Sequence, residues 1–251
     1  MKKQLRHDQK PTHNPAQPKQ EDLIVYGKQT SLYILEQMPQ IIKEVYFSKE
    51  MERGVFHQFA KIHKPILKID NKKAQALSKN GNHQGVFLKI SALEYTPFKI
   101  LKKSEKLLIL HGITDTGNIG SIFRSAYCLG VDGIVLCGVR GFSIEGVLRT
   151  SVGAILQMPF CVVENILDVI HELKNEKTLC LGADARGEEE GRIAGVQKWA
   201  LFLGSENTGL PSQVLSKLDR ILAIKMHRGF NSLNVGVAAG ILISRIQEWK
   251  L

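Results

Sequence analysis

The chain has 251 residues, a formal net charge of +10 and an apolar fraction of 43%. That length admits one large domain or two modest ones, and the absence of any run of about 18 apolar residues excludes a membrane-spanning helix. The polar first 20 residues lack the apolar centre of a secretion signal, so a cytoplasmic protein is expected.

Residues 1–20 carry three prolines (Pro11, Pro15, Pro18) and a local charge of +4. They read as a disordered basic tail. Leu23–Tyr26 is predicted to be a strand, Gly27 a turn, and Ser31 to Met38 a helix. Glu44–Ser48, Ile66–Ile69 and Val86–Ile90 read as further strands, so residues 21–97 form a small α/β unit. Between Lys61 and Asn80, six lysines (Lys61, Lys64, Lys68, Lys72, Lys73, Lys79) meet one acid, Asp70. Two readings stand: a surface for a polyanion, nucleic acid first, or a solvated basic face. Residues 98–104 follow Pro97, are rich in lysine, and read as a linker.

From Lys106 the rhythm becomes strand, helix, strand. Strands are predicted at Lys106–His111, Gly133–Cys137, Met158–Val163, Thr178–Ala183, Trp199–Leu203 and Arg220–Ile224. Helices fill Asn118–Leu129, Ile144–Ile155, Asn165–Asn175, Pro211–Leu218 and Leu233–Trp249. Continuous apolar strands alternating with helices indicate a parallel sheet covered on both faces, an α/β fold over 105–251. The net charge is +6 over 21–110 and 0 over 111–251, so the excess belongs to the first part of the chain. Cys128, Cys137, Cys161 and Cys180 are spaced 9, 24 and 19 apart, with no Cys-x-x-Cys pair and no histidine at ligand spacing. Buried free thiols are expected, with no metal site.

Ligands of open parallel sheets lie beyond the C-terminal strand ends, and three unusual segments fall there. His111 to Ala126 reads HGITDTGNIGSIFRSA. Its Asn118 and Arg124 are six apart and share a cleft only if Asn118 is still in the loop; Arg124 suits a phosphate or a surface ion pair. In Leu201–Leu210, LFLGSENTGL, two glycines let backbone approach a ligand closely. Glu206 there suits a cationic ligand better than a phosphate. The third segment, Phe230-Asn231-Ser232-Leu233-Asn234 running into an apolar helix, reads alone as a helix cap.

Together, in this order and spacing, the three segments resemble the signature motifs of the SpoU (TrmH) branch of the SPOUT RNA 2′-O-ribose methyltransferases. The preceding unit, with Tyr26-Gly27 and His83-Gln84-Gly85-Val86, resembles the substrate-binding domain of the RlmB-type rRNA enzymes, itself similar to a ribosomal protein. The resemblance implies a deep trefoil knot in the C-terminal domain, a homodimer, and methyl transfer from S-adenosylmethionine to a ribose 2′-hydroxyl of structured RNA. It points to a guanosine of the large-subunit rRNA. By motif position, Asn118, Arg124, Glu206, Ser232 and Asn234 are the implied reaction-centre residues. Leu203, Gly204, Ile224, Met226 and Leu233 are the implied cofactor residues.

The resemblance casts Arg124 as acting on the hydroxyl. Arginine side chains stay charged in proteins, so Arg124 is read as a phosphate clamp, with the proton leaving through RNA phosphate or water. Asn118 and Glu206 are expected to fix that arginine and the ribose, helped by Ser232 and Asn234. Two positions depart from the family pattern: Lys225, where Pro is usual, and Gly236, where Ser is usual. Alternatives are a tRNA 2′-O-methyltransferase and a catalytically silent RNA-binding ribosome-assembly factor.

Overall fold

The computed structural model describes residues 21–139, 141–188, 197–229 and 232–248. The expected basic tail, 1–20, lies outside the described residues, as do Phe230 and Asn231. The N-terminal unit holds β1 (Leu23–Tyr26), α1 (Lys28–Gln37), β2 (Ile42–Phe47), α2 (Arg53–Ala60), β3 (Ile66–Lys68), α3 (Asn71–Ser78) and β4 (Val86–Ile90). Its sheet has the order β1-β4-β2-β3, antiparallel except for the β2–β3 pair. Two helices here, α2 and α3, escape the sequence reading because each has only 8 residues and buries almost none of them, Phe59 in α2 and Ala74 and Ser78 in α3. Asp70, the lone acid among the six lysines, is the cap of α3: its Oδ1 accepts from Lys73 N at 2.7 Å.

The stretch between the units carries one helical turn, α4 (Phe98–Leu101), and Leu101 is buried in the core. Then come β5 (Lys106–His111), α5 (Thr116–Cys128), β6 (Gly133–Cys137), α6 (Ile144–Thr150), β7 (Phe160–Val163), α7 (Ile166–Asn175), β8 (Leu179–Glu188), β9 (Trp199–Gly204), α8 (Ser212–Leu215), β10 (Arg220–Leu222) and α9 (Val235–Glu248). All six strands pair in parallel in the order β10-β8-β9-β5-β6-β7. The apolar runs of β5, β6 and β9 are buried, as strands covered on both faces must be, while β7, β8 and β10 are only partly so. The expected helix 144–155 breaks at Val152 and Gly153, both with positive φ, and restarts as a 3-10 turn.

The strand order reverses between β5 and β9, which lie side by side with His111 level with Gly204. That crevice is where an open parallel sheet takes a ligand. The two units share one apolar cluster and meet along a polar seam. Gln157 Nε2 donates to Tyr33 OH at 2.6 Å, and its Oε1 accepts from Tyr127 OH at 2.7 Å. Cys137, Cys161 and Cys180 are buried, but Cys128 is exposed, against expectation. It sits in the last turn of α5 on a face that the sheet does not cover.

Candidate active site

Three chain segments converge at the β5–β9 crevice, and each arrives there for a local reason. After β5, Asp115 caps α5 by accepting from Asn118 N at 2.8 Å. After β9, Ser205 to Gly209 closes a tight loop, with Gly209 N donating to Ser205 O at 2.9 Å and the Ser205 and Thr208 hydroxyls 2.8 Å apart. Glu206 is at its tip. The third segment ends at Asn234, whose Oδ1 accepts from Gly236 N at 3.0 Å and Val237 N at 3.3 Å. Asn234 is therefore the cap of α9.

The other half of that amide binds the three segments together. Asn234 Nδ2 donates to Asn118 Oδ1 and to Glu206 Oε1, both at 2.7 Å. Glu206 Oε1 also accepts from Val235 N at 3.2 Å, which places a carboxylate against the positive end of a 14-residue helix. All hydrogen-bonding capacity of one side chain is used, and its orientation follows: a flipped amide would set carbonyl oxygen against two acceptors.

Asn118 lies in the first turn of α5, not in the preceding loop. Six residues on, Arg124 is about 120° around the helix from it, so the two do not share a face. Arg124 is exposed and makes no hydrogen bond or ion pair with another described residue. Asn118 and Glu206 thus hold Asn234, whereas the sequence reading had them fixing Arg124. Ser232 is exposed too; within the segment read as a helix cap, Asn234 is the residue that caps α9.

The glycines of the β9 loop answer to the loop itself. A Cβ on Gly204 would overlap the backbone of Gly209 and Leu210, so the loop folds back onto Gly204, and Gly209 has φ 63°. Close approach of a ligand is not what makes Gly204 a glycine. Among the other expected cofactor residues, Leu203 is buried, Ile224 and Met226 are half-buried, and Leu233 is 39% exposed. No backbone hydrogen bond joins Ile224, Met226 or Leu233 to another described residue. Amides and carbonyls without a backbone partner among the described residues, beside apolar side chains, suit a flat heteroaromatic group carrying donors and acceptors at its edge.

Two participants escaped the sequence reading. Ser121, on the face of α5 shared with Asn118, lies where a Cβ on Gly236 would overlap its Oγ. The missing hydroxyl of Gly236 is thus matched by a hydroxyl on the opposing helix, and α5 and α9 pack closely because of it. His111, level with Gly204, has a buried Nδ1 with no partner among the described residues. Burial lowers its pKa, which keeps the ring neutral near pH 7. A polar residue ending an apolar strand was the only signal for it. The six lysines are all exposed along edge strand β3 and helices α2 and α3, and none forms an ion pair with a described residue. Lys73 lies over the Tyr46 ring at 5.7 Å.

Comparison with known proteins adds the following. The family model described as SpoU rRNA Methylase family matches residues 105–244, and that for RNA 2′-O ribose methyltransferase substrate binding matches residues 24–96. A protein of Staphylococcus aureus assigned to the TrmH family of tRNA/rRNA methyltransferases is 33% identical over 196 residues, 74% of this chain and 79% of that protein. An AdoMet-bound rRNA methyltransferase from Sinorhizobium meliloti superposes with a TM-score of 0.72 at 22% identity, over 92% of this chain and 88% of its own. A structure concerned with 2′-OH methylation of C/U34 on tRNA superposes with a TM-score of 0.52 at 24% identity, over 59% of this chain and 97% of its own.

Proposed function

The chain belongs to the SpoU rRNA methylase family, and on that footing we propose that it transfers a methyl group from S-adenosylmethionine to a ribose 2′-hydroxyl of ribosomal RNA, on a guanosine of the large subunit. Its fold is that of the SPOUT methyltransferases, from which the trefoil knot follows. The observation that carries the proposal is the single amide of Asn234 joining Asn118 and Glu206 at the β5–β9 crevice. It makes one reaction centre of three segments distant in sequence.

S-adenosylmethionine supplies, when bound, a methyl group already activated on a sulfonium. The backbone of Leu203, Gly204, Ile224, Met226 and Leu233 would hold it, consistent with the lack of a backbone partner among the described residues at Ile224, Met226 and Leu233. What remains for the chain is orientation, which contributes up to about 7–11 kcal/mol in favourable cases. Arg124, without a protein partner among the described residues, is available to clamp an RNA phosphate bidentately beside the developing alkoxide. The 2′-hydroxyl proton then leaves to RNA phosphate or water. We assign RNA grip to residues 21–97 and methyl transfer to 105–251, with 98–104 between them, in a cytoplasmic homodimer. Exposed Leu233 and Val237, at the start of α9, and Tyr127 on α5 supply apolar surface for the second copy.

Ribosomal RNA is preferred over tRNA because the rRNA methyltransferase from Sinorhizobium meliloti covers both units, whereas the tRNA-related structure spans 59% of the chain. The test is transfer of labelled methyl to unmodified ribosomal RNA and to tRNA, followed by alkaline hydrolysis. One alkali-resistant dinucleotide in large-subunit rRNA is expected. Label in tRNA alone would replace the rRNA assignment, and no transfer to either would leave an RNA-binding protein.

A further inference from the structure

The His83-Gln84-Gly85-Val86 motif has no part in the centre just described, yet it builds a second polar site. The turn between α3 and β4 borders an open pocket of about 300 Å³ lined by Lys49, Gln75, Asn80, Gly81, Asn82, His83 and Gln84. Resting on the reading of the chain as an RNA enzyme, we propose that this pocket takes one unstacked nucleotide of the RNA, away from the ribose that is methylated.

The turn is held open by its backbone. Lys79, Asn80, Gln84 and Gly85 all have positive φ, a conformation that non-glycine residues adopt only when surroundings enforce it. Gln84 is enforced by α1: its Oε1 accepts from Lys28 N at 3.0 Å, capping a helix whose own cap residue, Gly27, offers no side chain. His83 is fixed twice. Its ring lies on Phe87 with centroids 4.9 Å apart, and its Nδ1 accepts from Gly85 N at 3.0 Å. The ring proton is therefore on Nε2, which has no partner among the described residues although the residue is only 6% exposed. Burial, and then nearby Lys49, lowers the His83 pKa, so a neutral N–H donor lines the pocket.

The remaining lining supplies both kinds of polar group. The side chains of Gln75, Asn80 and Asn82 make no hydrogen bond to a described residue, and Lys49 forms no ion pair with one. No carboxylate lines the pocket. Three amides and an N–H can read the edge of a base, and the ammonium can meet its phosphate. RNA offers such groups where a loop or bulge splays a base out of its stack. The volume is at the lower end of small-ligand sites, which fits one nucleotide and not a duplex.

A relay of side-chain contacts links the pocket to the candidate active site. Tyr26 packs against Gly81 at its rim, and Arg149 of α6 lies 5.1 Å over the Tyr26 ring and donates to its hydroxyl. The next residue, Thr150, donates from Oγ1 to Thr116 O at 2.7 Å, two residues from Asn118. In this proposal an RNA strand spanning the crevice and the pocket would pass Arg149, an exposed cation at the seam between the units.

His83→Ala would strip a buried ring from Phe87, so the test uses the exposed pair Lys49→Ala and Asn82→Ala in the full chain. The probe is an unmodified large-subunit rRNA transcript, read by Kd and by base-selective chemical footprinting. The double variant should melt as the parent does, raise the RNA Kd about ten-fold, and lose protection of one loop nucleotide while keeping the rest of the footprint. An unchanged Kd and footprint would overturn the inference while methyl transfer by the parent still stood. A pocket-dependent footprint on a parent that transfers no methyl would uphold the pocket and overturn the proposed reaction.

Discussion

The two units solve opposite problems with similar materials. Residues 105–251 have no net charge and hold six parallel strands with the central ones buried, so their function depends on where a few polar side chains emerge at strand ends. Residues 21–97 carry +3, with a further +3 from the lysines of 98–104, and bury far less of α2 and α3, so their function depends on what the surface presents. One unit works by fixed geometry, the other by field and shape. Substitutions should separate accordingly: in the C-terminal unit they alter rate, and in the N-terminal unit they alter affinity.

The largest effect is expected at Asn234. Asn234→Ala removes a helix cap and both ties to Asn118 and Glu206. A displacement of about 1 Å costs on the order of 10²-fold in rate, so methyl transfer at saturating RNA should fall at least that far. The lost cap costs about 1 kcal/mol, a fall in Tm of roughly 2–4 °C for a chain of this size. An unchanged turnover number would break the claim that this amide organises the site.

Next comes the contact between α5 and α9. Gly236→Ser places a hydroxymethyl where Ser121 Oγ already lies, and such overpacking costs about 1–3 kcal/mol. The double variant Ser121→Gly with Gly236→Ser, which moves the hydroxyl to the other helix, should recover most of the stability. Calorimetric melting of the two variants decides this, and failure of the rescue would mean that Ser121 is not what excludes a side chain at 236.

Reversing Lys61, Lys68 and Lys72 to Glu sharpens the comparison from the other side. RNA affinity should weaken by about ten-fold and its salt dependence should flatten, because fewer counterions are released, while S-adenosylmethionine binding is unchanged. Equal loss of both would indicate unfolding. The smallest effect concerns pH. His83 and His111 both have pKa values lowered by burial, His83 also by Lys49. The unfolded chain therefore binds more protons than the folded one just below the ordinary histidine value of 6.5. Stability should be full above that value and fall as pH drops through the folded values. A flat urea midpoint from pH 7.5 to 5.5 would contradict it.

Most strands of both sheets were legible because their apolar runs are continuous and end in glycine or polar residues. α2 and α3 were not, since their residues are held by one face of a small sheet and by a cap at Asp70 that lysine-rich sequence obscures. At the site, the three segments were legible as a group, but their connections were not. Asn234 and Ser232 are equally good caps on paper, and only the packing of α9 on α5 selects between them. Gly236 looked like a lost hydroxyl until Ser121 supplied it from 115 residues away in sequence. The Gly204 loop illustrates the same point, as its glycine makes room for its own chain.

The division between rate and affinity is tested most directly by measuring kcat and RNA Kd for Asn234→Ala and for the Lys61, Lys68 and Lys72 reversal on one rRNA transcript. Asn234→Ala should lower kcat with RNA Kd within about two-fold of the parent, and the lysine reversal should raise Kd with kcat at saturating RNA preserved. A lysine reversal that lowers kcat at unchanged Kd, or an Asn234→Ala that acts through Kd alone, would contradict the assignment of chemistry to one unit and RNA grip to the other.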